Sequence, residues 1–154
     1  MINYGKKFEE RFKLDWTSSM SDSCIIRLYD NTSGYLSISN VSDYICYKKP
    51  NIYFVECKTH KGASIPFTAI SQYDKLIQLS GIPGVRSGVV VWLYEKDEVF
   101  YVPATTIKEL KSLGEKSIGI RHFDKYNIIR IPSKKLRVFM ESDYSVLLSL
   151  KDGE

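Results

Sequence analysis

The sequence predicts an α/β (α+β) domain, a central mixed β-sheet flanked by helices, and three observations predict it. Tyr4, Phe8, Phe12 and Trp16 recur at i, i+4 steps and make one aromatic face of a helix. Gly88 to Leu93, read Gly-Val-Val-Val-Trp-Leu, is a short apolar run of the kind found in strands covered on both faces. Around these two stretches the chain reads as helix, three strands, helix, two strands and helix, followed by a basic tail.

Taken in order, the opening helix spans about three turns and ends in the polar stretch from Thr17 to Ser23. Cys24 to Tyr29 reads as a first strand, Asp30 to Gly34 as a turn, and Tyr35 to Val41 as a loop at the mouth of a site. Asp43 to Tyr47 and Ile52 to Lys58 are two further strands, rich in aromatic and β-branched residues and joined by turn chemistry at Lys49-Pro50-Asn51. Thr68 is the expected N-cap of a helix reaching Ser80, with Ile70, Tyr73, Leu76 and Ile77 on its packing side. Gly81-Ile82-Pro83-Gly84 stops it. Ser87 to Tyr94 and Val99 to Val102 are strands about a turn at Lys96-Asp97, and Thr106 with Glu109 forms a capping-box pattern for a helix toward Leu113. Asn127 to Ile131 is strand-like, Leu136 to Met140 is an apolar patch, and a terminal helix can dock Val146, Leu147 and Leu150. The 154 residues fit one domain, with a core over about 3–113 and a basic C-terminal extension over 118–154.

Composition narrows the function classes. No apolar run approaches the ~20 residues of a membrane span, and Met1 to Lys7 lacks the apolar region of a signal peptide, so a cytoplasmic protein is expected. Cys24, Cys46 and Cys57 are odd in number and lie in strand-like runs, which suits buried free thiols in a reducing compartment. His60 and His122 have no metal-ligand spacing to them, which argues against structural zinc. A nucleophilic Cys-His pair stays open, although Cys57 is expected to face away from its charged neighbours. Of the net charge of +4, the stretch from Arg121 to Arg137 carries +5 (Arg121, Lys125, Arg130, Lys134, Lys135 and Arg137 against Asp124) and the rest of the chain −1. Interleaved with Phe123 and Tyr126, that stretch suits contact with a phosphate backbone; the bland alternative is a solvated face.

The chemistry concentrates in Ser42 to Lys58. Alternation on a strand puts Glu56 and Lys58 on one face, and pairing about the turn brings Asp43 to the same end. Two carboxylates and an ammonium are costly to assemble for structure alone, and a divalent cation offsets that cost. Asp43 and Glu56 offer hard oxygen ligands suited to Mg²⁺, and Lys58 would stand beside a bound water and offset charge on a phosphate under attack. The alternative is a same-face Glu56–Lys58 ion pair on a solvated strand.

Asp43, a short gap, then Glu56-Cys57-Lys58 resembles the core of the PD-(D/E)xK nuclease superfamily. With Gly5-Lys6-Lys7-Phe8-Glu9, Arg27-Leu28-Tyr29-Asp30, Ile65-Pro66-Phe67 and Ile70-Ser71-Gln72, the chain resembles the RecU-type Holliday-junction resolvases and their phage-borne relatives over roughly residues 5 to 103. Ser42 stands where the superfamily name has Pro, and residues 30–40 stand in place of the family's long projecting stalk. The resemblance implies a restriction-endonuclease-like core, Mg²⁺ (with Mn²⁺ able to substitute) on Asp43, Glu56 and the Cys57 carbonyl, and hydrolysis of a DNA phosphodiester to a 5′-phosphate and a 3′-hydroxyl. It implies that Lys58 and Gln72 position the water and that a first-helix acid supports the metal shell; Glu9 is the candidate and Glu10 the alternative register. It further implies a four-way DNA junction as partner and a two-fold homodimer presenting two sites. Lys6, Lys7, Arg11 and Lys13 on the first helix, Arg27 and Lys61 are candidate phosphate contacts, Arg27 being equally suited to pairing with the carboxylates. Rival functions are a nuclease of the same core acting on other DNA structures, a nucleic-acid-binding module without catalysis, and a protein-interaction factor.

Overall fold

The structure, a computed structural model, describes residues 1–29 and 40–150. The turn expected at 30–34 and most of the loop expected at 35–41 lie outside the described residues.

Helix α1 spans Tyr4–Ser19, with Asn3 Oδ1 accepting from the Lys6 N–H at 3.0 Å as its N-cap. It outruns the expected stop at Thr17. The hydroxyls of Thr17, Ser18 and Ser19 donate to carbonyls four residues back, at 2.9, 3.0 and 2.6 Å, instead of drawing the backbone into a turn. Phe8, Phe12 and Trp16 are buried as the stripe predicts.

The main sheet has the order β1-β2-β3-β5-β6-β8, formed by Ser23–Arg27, Tyr44–Lys48, Asn51–His60, Val85–Leu93, Glu98–Pro103 and Ile129–Arg130. The pair β3/β5 is parallel and every other neighbouring pair antiparallel, so the sheet is mixed. The crossover between β3 and β5 carries β4 (Ser64–Pro66) and α2 (Tyr73–Leu79). Helix α3 (Ala104–Ser112) follows β6 directly. On one face Val90 and Trp92 of β5 join Phe8, Phe12, Trp16, Tyr53 and Val55 under α1; on the other Val89, Val91 and Leu93 join Leu76, Ile107 and Leu110 under α2 and α3. Cover on both faces is why β5 reads as an unbroken apolar run.

Several expectations are corrected. No single helix runs from Thr68 to Ser80: a 3-10 turn at Phe67–Ala69 closes with Ile70 N–H on the Phe67 carbonyl, and α2 starts only at Tyr73. The Thr106–Glu109 capping box does not form, because Pro103 caps α3 and the Thr106 hydroxyl donates to the Asn127 carbonyl at 2.7 Å. Cys24 is exposed, since it alternates onto the open face of edge strand β1; Cys46 and Cys57 are buried, and all three are free.

The C-terminal segment is woven into the fold. β7 (Ser117–Gly119) pairs with β4, β8 completes the main sheet, and β9 (Ser133–Lys135) pairs with β10 (Met140–Ser142). Met140, Tyr144 and Leu147 enter the core under α1, the last two from a 3-10 turn at Tyr144–Ser149 where a helix was expected. Buried Asp15 of α1 ties the segment down, accepting from Arg11 at 2.6 Å and from the Ser142 N–H at 3.0 Å. Among the described residues no helix is long and apolar enough to cross a membrane.

Asp15→Ala strips the Ser142 N–H and Arg11 of a charged acceptor. A loss of about 2–3 kcal/mol is expected in urea unfolding with an unchanged m-value, and a fall in Tm of roughly 4–10 °C.

Candidate active site

The site arises from unequal strand lengths. β1 ends at Arg27 and β2 begins at Tyr44, whose partner on β3 is Val55, whereas β3 continues to His60. Beyond Val55 the edge of β3 that faces β2 has no strand beside it among the described residues. The Asp43 carboxylate fills the gap, its Oδ2 accepting from the Cys57 N–H at 2.9 Å. The N–H and C=O of one strand residue address the same neighbour, so the Cys57 carbonyl is directed to this open edge too. The Asp43 carbonyl accepts from the Leu28 N–H at 2.8 Å, which locks the acid against the end of β1.

Glu56 and Lys58 share the face toward α2 and α3, and Cys57 turns into the core under α1, where burial pushes its thiol well above the usual range. Glu56 is 2 % exposed. Its Oε1 stands 3.4 Å from Lys58 Nζ, and its Oε2 is buried without a hydrogen-bond partner. Burial first, then the Asp43 charge, pushes its carboxyl up to about 8, against the opposing pull of Lys58.

Glu9, from the second turn of α1, closes the cluster. Arg27 binds Glu9 Oε2 and Asp43 Oδ1, each at 3.0 Å, and lies over the Tyr44 and Tyr29 rings at 5.2 and 5.5 Å from their centroids. The Tyr44 hydroxyl donates to the Glu9 carbonyl at 2.8 Å, so helix and strand are joined beside the site. Burial, then Asp43, raises the Glu9 carboxyl, while Arg27 and Lys58 lower it. Glu10 points outward and pairs with Lys7 at 3.4 Å, which favours Glu9 in the register question.

The structure therefore brings together Asp43, Glu56, Lys58, Glu9 and Arg27. Gln72 sits in the turn before α2, and its Oε1 accepts from the Ser71 hydroxyl at 2.7 Å. The basic C-terminal stretch is elsewhere. Arg130 lies in the same register row as Lys58, through Val91 and Phe100, but three strands away, about 14 Å at the usual strand spacing. Arg121, Arg130 and Lys135 are paired with Glu115, Glu98 and Asp97 at 2.8, 2.7 and 2.5 Å; Lys125, Lys134 and Arg137 are exposed. Lys61 is exposed just past the end of β3. Arg27 is engaged by two carboxylates, the ion-pairing role weighed for it beside DNA contact. Sequence reasoning did not find the Tyr44 link, which carries no signal beyond an aromatic on a strand.

The donor set fits a hard divalent ion. Glu56 Oε2 is buried against Asp43 with no N–H or hydroxyl donor to it, and a bound cation would offset the repulsion between the two carboxyl groups. Among the described residues no group of three or more His, Cys, Asp or Glu side chains is placed to hold a metal ion.

No family model matches the chain, and no curated protein matches it in sequence. Among solved structures it is similar to Hjc of Archaeoglobus fulgidus, a Holliday junction resolvase from an archaeal hyperthermophile, with a TM-score of 0.58 at 15% identity over 79% of this chain and 93% of that one. The chain has that fold, a six-stranded mixed sheet flanked by helices.

In metal-free protein Glu56 holds its proton between its unfolded value of 4.5 and about 8 only when folded. The folded state binds more protons there, so stability falls as pH rises through that window, by at most about 5 kcal/mol. Thermal unfolding in EDTA from pH 5 to 9 is expected to show Tm dropping with pH, and Glu56→Gln is expected to flatten the slope; an unchanged slope in the variant would assign it to another group.

Proposed function

We propose that the chain is a Mg²⁺-dependent DNA endonuclease of the PD-(D/E)xK type, and more narrowly a junction-resolving enzyme of the RecU-type group with its phage-borne relatives. The observation that carries the reading is the buried, unpartnered Glu56 carboxylate oxygen beside Asp43 and Lys58, at the edge of a sheet shared with a resolvase. The order Glu9, Asp43, Glu56, Lys58 supports the narrower placement.

In this reading Asp43, Glu56 and the Cys57 carbonyl hold Mg²⁺ or Mn²⁺, which when bound supplies Lewis acidity toward the scissile phosphate. Glu9 reaches the same pocket through Arg27 and supports its waters. The Lys58 ammonium, oriented by Glu56, hydrogen-bonds the attacking water and offsets the charge that builds on the phosphoryl oxygens. A bond forms from the water oxygen to phosphorus, the bond to the 3′ oxygen breaks in line, and the departing oxygen takes a proton to leave a 3′-hydroxyl and a 5′-phosphate. Gln72, whose Oε1 accepts from the Ser71 hydroxyl, offers its amide N–H donors to the attacking water or the scissile phosphate. A junction has two symmetry-related strands to cut, so a two-fold homodimer completes the assembly.

A second reading, a DNA-binding module of the same fold without turnover, draws on Arg27, whose guanidinium already occupies one Asp43 oxygen. Nicking assays separate the two. Wild type with Mg²⁺ is expected to cut a mobile four-way junction faster than linear duplex or a flap, and Glu56→Ala and Lys58→Ala are each expected to lose about 10²–10³-fold in rate while still binding the junction. Binding by wild type with no cleavage in Mg²⁺ or Mn²⁺ would favour the module, and equal rates on all three substrates would remove the junction preference.

A further inference from the structure

A groove of 640 Å³ runs along the outer side of α1 beside Glu9 and Arg27 and is lined also by Lys6, Glu10, Lys13, Thr17 and Tyr29. Its size is that of a small-ligand site, about 300–1,000 Å³. Lys6 and Lys13 lie two turns apart on one helix face, about 10 Å along the axis. Both acids at the groove have cationic partners, Glu9 in Arg27 and Glu10 in Lys7. Neither the Lys6 nor the Lys13 ammonium has an ion-pair partner among the described residues, so the net charge offered to a ligand is positive.

Tyr29 lines the same groove. It is 79% exposed, an unusual state for a large aromatic that is also anchored: its carbonyl accepts from Asn40 Nδ2 at 2.7 Å, and the preceding Leu28 N–H is bonded to Asp43. The Arg27 guanidinium lies over its ring, so the aromatic is presented from a fixed base. Two lysines at backbone-tracking distance and one exposed, supported aromatic ring in the same groove are the elements of single-strand recognition: charge for phosphates and a face for a base.

The geometry points to this groove as the seat of an unpaired DNA strand of two or three nucleotides, led away from the candidate cleavage site along α1, with a base stacked on Tyr29 and phosphates on Lys6 and Lys13. The inference rests on the nuclease reading and deepens it: the substrate is DNA whose strands separate at the cut, as at a branch point, and uninterrupted duplex does not fill the groove.

Fluorescence anisotropy of labelled octathymidine in EDTA tests this apart from turnover. Wild type is expected to bind, Tyr29→Ala to weaken binding on the order of tenfold, and Tyr29→Trp to restore it. The Lys6→Gln/Lys13→Gln pair is expected to lower the slope of log K against log salt by about 1.4. All these positions are on the surface, and unchanged Tm values verify the fold. Wild-type affinity in both Tyr29→Ala and the lysine pair would overturn the assignment, as would failure of wild type to bind. Equal, Tyr29-dependent binding of an octaglutamate peptide would overturn it in favour of acidic peptides. A chain that binds octathymidine through Tyr29 but never nicks DNA would sink the nuclease reading alone, and a nicking enzyme indifferent to Tyr29 would sink the groove alone.

Discussion

The Asp43 carboxylate on the Cys57 N–H is the constraint from which the candidate site follows. A strand that outruns its neighbour exposes backbone groups that must find partners, and burial makes an unpaired one expensive. Here the partner is a side chain and not another strand. That choice ends the β1/β2 part of the sheet, opens the edge of β3 over its last residues, and fixes a carboxylate beside the strand position where Glu56 projects. A longer β2 would satisfy the same N–H through the ladder and bury the edge, and Asp43 would then have no reason to be there.

Charge compensation in the cluster is local. Three acids, Glu9, Asp43 and Glu56, raise or are raised by one another, and the cations that answer them are Arg27 and Lys58. Arg27 takes two of the acids with one fork, which suits its rigid planar geometry. Glu56 has one oxygen paired with Lys58 and the other buried without a donor, and burial, then the neighbouring Asp43 charge, raises its proton affinity. The bare oxygen, not the acid count, marks where a further positive charge is wanted.

Much of this was legible in the chain. The aromatic stripe located α1 and its buried face because four large rings at one helical spacing have no use in water, and the central apolar run located β5 because cover on two faces leaves no polar alternation. Asp43, Glu56 and Lys58 were legible as a group because strand periodicity and one tight turn, Lys49-Pro50 with its cis peptide, suffice to bring them together. What was not legible depends on contacts distant in sequence. β4 and β7 have three residues each and are strands only because Ile65 and Ile118 face one another across more than fifty residues. The Thr106 hydroxyl had a local partner by pattern and found a remote one in the Asn127 carbonyl. Gln72 was placed by a helix assumed to start at Thr68, and the later start of α2 moved it into a turn. The C-terminal stretch read as a basic appendage because its charges are frequent, whereas its sparse apolar residues, Met140, Tyr144 and Leu147, decide where it packs.

The separation between that stretch and the acid cluster has a further consequence. About 14 Å divides Arg130 from Lys58 along their shared row, more than the ~8 Å over which a charge acts through physiological salt. Arg130 is therefore largely screened from the acids at that spacing, and three of the six basic residues already answer acids of their own. A polyanion drawn to the exposed Lys125, Lys134 and Arg137 would be held by a different segment from the one meeting Glu56.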